Sequence, residues 1–154
     1  MPHDRKGGTG TRREGRELAL KLLYREEVTG VTDGPIPEID EARSEALAFA
    51  DEIVIGVREH RDEIDRLIGA ASEHWELPRM GAVDRTVLRI GAYELLCIPD
   101  NPVGVVINEA VEIARKYSSN EGARFVNGVL DHVARDARDA SGADKPAAEG
   151  LGTD

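Results

Sequence analysis

Across residues 121–140 the apolar side chains Phe125, Val126, Val129, Leu130, Val133 and Ala137 recur at intervals of three and four, the period of a helix that buries one face. The same interval returns in Ala42, Ala46, Phe49, Ile53 and Val57, which predicts a helix over about 41–59. Ile64, Leu67 and Ile68 predict another over about 61–71. Two more are expected over about 82–98 and after Pro102, where a missing N–H costs nothing at a helix start. Nothing competes with this period. Runs of β-branched residues are short, aromatics make up only 4%, and the one Asp-Gly pair, Asp33-Gly34, runs into a proline. The chain is therefore expected to be all-α, with six or seven helices. The loop ahead of the fourth helix divides it into helical subdomains of about 11–72 and 73–140.

Punctuation sets the boundaries. Residues 1–10 hold Gly7, Gly8 and Gly10 and read as a flexible tail. Thr11 and Glu14 in "TRRE" form a capping box, so the first helix is expected to begin at Arg12, turn Ala19, Leu22 and Leu23 inward, and end at Gly30. "DGPIPE" (33–38) reads as a loop. In "HWELPRM", Pro78 breaks the chain and Trp75 is expected in the core. Residues 141–154 are small and polar and are expected to be disordered.

Length, 154 residues, suits one domain with a real core. No apolar run approaches the roughly 20 residues that cross a bilayer, the N-terminus has no secretory apolar segment, and the single Cys97 excludes an internal disulfide. A reducing cytoplasm is the expected location. Several chemistries find no support. His3, His60, His74 and His132 are scattered without metal-ligand spacing. Cys97 has apolar neighbours, which raise a thiol's pKa and suit an inert role. "GGTG" (7–10) has no preceding strand and no Lys-Ser/Thr at phosphate-loop spacing. No carboxylate pair stands out as an acid–base dyad. Neither an enzyme, a metal nor a cofactor is called for.

Charge is more informative. The chain carries −10 overall, yet residues 1–25 hold seven Lys/Arg against three acids. An acidic body repels nucleic acid at long range, so any such ligand needs a focused basic site. Arg12, Arg13 and Arg16 gather where a helix is expected to begin, and cations there cost roughly 0.3–1 kcal/mol each. Helix N-termini leave N–H groups for phosphate, and arginine forks suit phosphate oxygens and base edges. The plainer alternative is a solvated face with Arg13 paired to Glu17 one turn on. Residues alone leave both open.

Three stretches in order, "RREGRELALKLLY" (12–24), "VDRTVLRIGAYELL" (83–96) and "VVINEAVEIARKYSSNEGARFVNGVLDHV" (105–133), closely resemble the NusB family of bacterial transcription antitermination factors. The resemblance covers roughly residues 11–134. It implies two perpendicular three-helix bundles without catalytic activity or cofactor. It also implies a partner, the small-subunit ribosomal protein NusE, and single-stranded boxA RNA of nascent ribosomal transcripts as ligand. Together they would join other Nus factors on elongating RNA polymerase. By this resemblance the RNA side comprises Arg12, Arg13, Arg16, Lys21, Tyr24, Lys116, Glu121, Arg124, Phe125 and Asn127. Tyr24 would stack a base. Glu121 would weaken binding by repelling phosphate, so a neutral replacement there is expected to tighten it. Phe125 falls between core and RNA surface, and Asn127 between backbone support and base contact. Asp84 would face NusE, with Glu76 and Arg79 on the same surface. Arg89 is expected to pair with Glu109 or Glu112 between helices, and Gly128 to permit close helix packing.

Two rivals belong beside this. The same module resembles the N-terminal domain of some ribosomal-RNA cytosine methyltransferases, which would need a Rossmann-like domain after Asp154. A helical scaffold that binds no RNA is the other. NusB-type proteins include monomers and homodimers, and a homodimer through the arginine-bearing helix would mask the RNA site.

Overall fold

The computed structural model describes residues 2–32, 44–72 and 75–143, with side chains from Gly10 to Arg138 within those ranges. The helices are α1 (Pro2–Thr29), α2 (Ser44–Glu59), α3 (Arg61–Ala71), α4 (Ala82–Cys97), α5 (Val103–Tyr117) and α6 (Asn120–Ala143), with one 3-10 turn at Leu77–Arg79. The described residues contain no strand. The expected loop at 33–38, the first residues of the second helix, His74 and residues 144–154 lie outside them.

Periodicity located the helices to within a few residues, except at the start. The helix expected from Arg12 begins at Pro2, and the backbone expected as a flexible tail is helical. Thr11 therefore lies inside α1 and caps nothing. Extending a docked helix needs no new nucleus, and this outweighs three glycines at roughly 1 kcal/mol each. At the other end Gly30 takes φ 79° and donates its N–H to the Glu26 carbonyl at 2.8 Å, the left-handed stop that glycine alone adopts without strain.

α4 is the centre of the molecule. Every residue from Thr86 to Leu95 is buried, because α4 packs against all the other helices. α5 and α6 complete a bundle with it, while α1 and α2 pair on its other side and α3 touches both α4 and α6. The buried apolar residues form one continuous cluster, with Ile53, Ile64, Ile68, Leu88, Leu95 and Leu130 fully covered.

A helix buried all round must pair its charges. Glu94 is met from α1 by Arg16, and Arg89 from α3 by Asp65, at 2.9 and 3.1 Å, and from α1 by Glu27 at 3.3 Å. The expected partners of Arg89, Glu109 and Glu112, are elsewhere. Asp65, 24 positions from Arg89, is about as near in sequence as Glu112, so spacing does not separate the candidates; the fold turns α3 and α1, not α5, toward this side of α4. Arg85 also bonds Glu27 and donates to the carbonyls of Leu77 and Met80 at 2.9 and 2.7 Å, which ties the 3-10 turn to α4. Arg16–Glu94 and Glu27–Arg89 thus fix α1 antiparallel to α4 at two heights. Arg138 of α6 donates to the carbonyls of Leu95, Pro99 and Asn101 at 3.0–3.3 Å and closes the turn between α4 and α5.

Candidate nucleic-acid interface

Because α1 starts ten residues before Arg12, the arginine cluster is not at a helix N-terminus. It meets neither the dipole penalty nor the free N–H groups expected there. Its three members point three ways. Arg12 is exposed and lays its guanidinium over the ring of Phe49 on α2, 4.8 Å from the centroid. Arg16 turns inward. Its Nε and Nη2 grip the two oxygens of Glu94 at 2.8 Å each, with Arg16 only 4% and Glu94 1% exposed. Asn101 adds a bond to Glu94 at 3.1 Å. Arg16, expected on the RNA side, is therefore a core residue, because α4's buried carboxylate requires a cation.

Arg13 faces α5. Its Nε and Nη2 donate to both oxygens of Glu109 at 2.9 and 2.8 Å, a bidentate pair. Glu109 stabilises the Arg13 cation and raises its pKa, while that hydrogen bond lowers the pKa of Glu109 despite partial burial. The stability this carboxylate contributes is present above its unfolded pKa and is lost as pH falls through the lowered value. Glu17, the expected neighbour of Arg13, instead accepts from Lys116 Nζ at 3.2 Å and from the Tyr117 hydroxyl at 2.9 Å. Burial, then the bond to Glu17, raises the Tyr117 pKa. Lys21 and Lys116 both lie against the Tyr117 ring, 6.0 and 5.2 Å from its centroid. Tyr24 stands exposed one turn beyond Lys21. The seam of α1 and α5 therefore gathers Arg13, Lys21 and Lys116, with Arg12 beside it and two tyrosines.

A second feature lies at the other end of the RNA list. A groove of about 540 Å3 between the starts of α4 and α6 is lined by Trp75, Arg79, Met80, Asp84, Glu121 and Phe125. Glu121 and half-buried Phe125 thus share a surface with the partner candidates Arg79 and Asp84; Glu76 is exposed just before the 3-10 turn. Trp75, expected in the core, is 53% exposed here, while Met80 of the same segment is the buried residue. Asp84 sits against the first turn of α6, where the helix dipole favours its charge. Its Oδ1 is buried without a hydrogen bond, and a Cβ at Gly122 would stand 2.7 Å from it.

Arg124 and Asn127 belong to neither place. Both are exposed and line a groove between α5 and α6, on a different side of α5 from Lys116. Gly128 is also exposed, and a Cβ there would meet nothing within 4 Å, so it does not serve helix packing. The sequence offers Glu17 to Arg13 and Glu109 to Arg89, not to the partners observed, and does not single out Tyr117. One signal was available: Arg13, Glu17 and Lys21 are four apart, and Glu109 and Lys116 seven apart, so each set shares a helix face. Which faces meet was not visible. Among the described residues no group of His, Cys, Asp or Glu is placed to hold a metal, and no helix is long and apolar enough to cross a membrane. Burial pushes the Cys97 thiol up, away from nucleophilic use.

Comparison with known proteins gives a consistent set. The family model described as the NusB family matches residues 13–135. The transcription antitermination protein NusB of Geobacter sulfurreducens is 45% identical over 130 residues, covering 81% of this chain and 94% of that protein. Among solved structures, T. maritima NusB superposes with a TM-score of 0.69 at 35% identity, over 80% of this chain and 90% of that one. A chain from the crystal structure of antitermination factors NusB and NusE in complex with dsRNA gives 0.69 at 29% identity, over 82% and 97%.

Proposed function

This chain belongs to the NusB family of transcription antitermination proteins, and we propose that its α1–α5 seam holds boxA RNA while the groove at the start of α4 receives NusE. The seam carries the reading. It presents Arg13, Lys21 and Lys116 on an otherwise acidic protein, with Arg12 exposed on the α2-facing side of α1 and exposed Tyr24 available to stack a base. Arg79 and Asp84 supply a charge of each sign beside the apolar Trp75 and Phe125, a surface suited to a folded protein rather than to phosphate. Glu121 lies at that groove and not on the seam, so its charge would act on RNA that extends toward the partner. The protein would act without catalysis, in the cytoplasm, by joining the RNA to NusE and then to elongating polymerase.

Fluorescence anisotropy with a short boxA-like RNA tests this, with and without NusE, over a salt series. Phosphate contacts by Arg12, Arg13, Lys21 and Lys116 predict a log–log salt slope of roughly −3 for single-stranded RNA. Arg12→Glu/Arg13→Glu should weaken binding at least about tenfold, since each reversal removes a charge-assisted bond. Glu121→Gln should strengthen it. Arg16 is left unchanged because its loss would unfold the site. Folded protein that binds no RNA at any salt, with NusE present, would overturn the proposal and leave a helical scaffold.

A further inference from the structure

We propose that Glu109 and Glu17 are intramolecular competitors of RNA phosphate, occupying Arg13 and Lys116 in the free protein and thereby setting RNA affinity. The inference rests on the RNA reading of the α1–α5 seam and goes beyond it. In both pairs the acid is fixed and the base is loose. Side-chain exposure is 12% for Glu109 against 49% for Arg13, and 19% for Glu17 against 60% for Lys116. Each acid has a second neighbour: the Arg16 cation, with Nη1 3.9 Å away, attracts Glu109 without a hydrogen bond, and the Tyr117 hydroxyl bonds Glu17 at 2.9 Å. The acids therefore stay in place when the cations leave. A long exposed side chain can swing to a new anion; a covered carboxylate held by a neighbour cannot.

The exchange has a chemical consequence. A phosphate that takes Arg13 replaces one bidentate, charge-assisted pair by another, so the gain is smaller than for a free arginine. It also approaches a carboxylate that has just lost its partner. Both effects lower affinity for a lone phosphate and favour a strand that engages the seam at both points.

Double-mutant cycles separate this direct competition from a general change in net charge. The full chain is measured by anisotropy with the boxA-like RNA in the presence of NusE. Glu109→Gln should tighten binding about two- to fivefold, the scale of a partly exposed ion pair, and should have no effect in an Arg13→Gln background. Glu17→Gln should do the same through Lys116→Gln, and this second cycle stands on its own if Glu109→Gln unfolds. Glu112→Gln removes an equal charge one turn away, from a pair with Arg115 exposed on both sides. It is expected to change affinity less than either. Equal gains in both backgrounds, equal gains from Glu112→Gln, or no gain in a folded variant would overturn the competition. If wild type binds and Arg12→Glu/Arg13→Glu does not, the RNA reading survives that failure. If wild type itself does not bind, both fall.

Discussion

Replacing Arg16 by Ala is expected to lower stability by about 3–5 kcal/mol, the cost of leaving one member of a buried ion pair alone. Glu94 is 1% exposed near the C-terminal end of the most enclosed helix, and without Arg16 its remaining hydrogen-bond partner among the described residues is the Asn101 amide. Urea unfolding with an unchanged slope would read the loss directly. The control is Arg16→Met/Glu94→Leu, which removes both charges and fills much of the same space. It should recover most of the deficit, since a buried pair is often no better than well-packed apolar side chains. A loss below about 1 kcal/mol for Arg16→Ala, the range of an exposed pair, would mean that the site is wet and the account wrong. The same expectation governs RNA work. A variant that reverses all three arginines would abolish binding by unfolding the bundle, and the result would be mistaken for a lost phosphate clamp.

Arg16 also shows what could be read from the residues. Its presence in a cationic run was plain, and the α1 face that includes Ala19 and Leu23 was visible in the period. Its destination was not, because Glu94 is 78 positions away and only tertiary packing makes them neighbours. α4 was located well, yet the period could not reveal that it is buried on every side, since a one-sided stripe is what the pattern detects. Arg89 was correctly expected to be paired inside and wrongly matched to Glu109 or Glu112. Sequence separation cannot choose between acids on the preceding and following helices, and the fold supplies Asp65 and Glu27. Trp75 failed for a different reason. Size and hydrophobicity argue for burial, but here the ring stands over a groove at the start of α4. Exposed aromatic surface of this kind is what a partner-binding protein presents, and no local rule distinguishes it from core. The family resemblance named the cations on α1 and α5, but not the carboxylates that hold them.

Gly56→Ala is the second large effect expected, a loss of about 2 kcal/mol where helix propensity alone predicts a gain. In the interior of an exposed helix this change is worth roughly 0.5–1 kcal/mol in favour of Ala. Gly56, however, is where α2 lies directly on Tyr93 of α4. A Cβ there would stand 2.8 Å from the tyrosine hydroxyl and closer still to its ring carbons. Tyr93 is 7% exposed and so has little open space to move into, and either the helices must separate or the side chain must leave its rotamer. Overpacking of this kind costs about 1–3 kcal/mol, occasionally more. The decisive comparison repeats the substitution in a Tyr93→Ala background. With the ring gone, Gly56→Ala should become stabilising by up to about 1 kcal/mol, because only propensity and the filling of space remain. That reversal of sign, measured by urea unfolding of the four proteins, would tie the glycine to one contact. Destabilisation of equal size in both backgrounds would place the strain elsewhere in α2, and stabilisation in both would mean that α2 and α4 sit further apart than this packing requires.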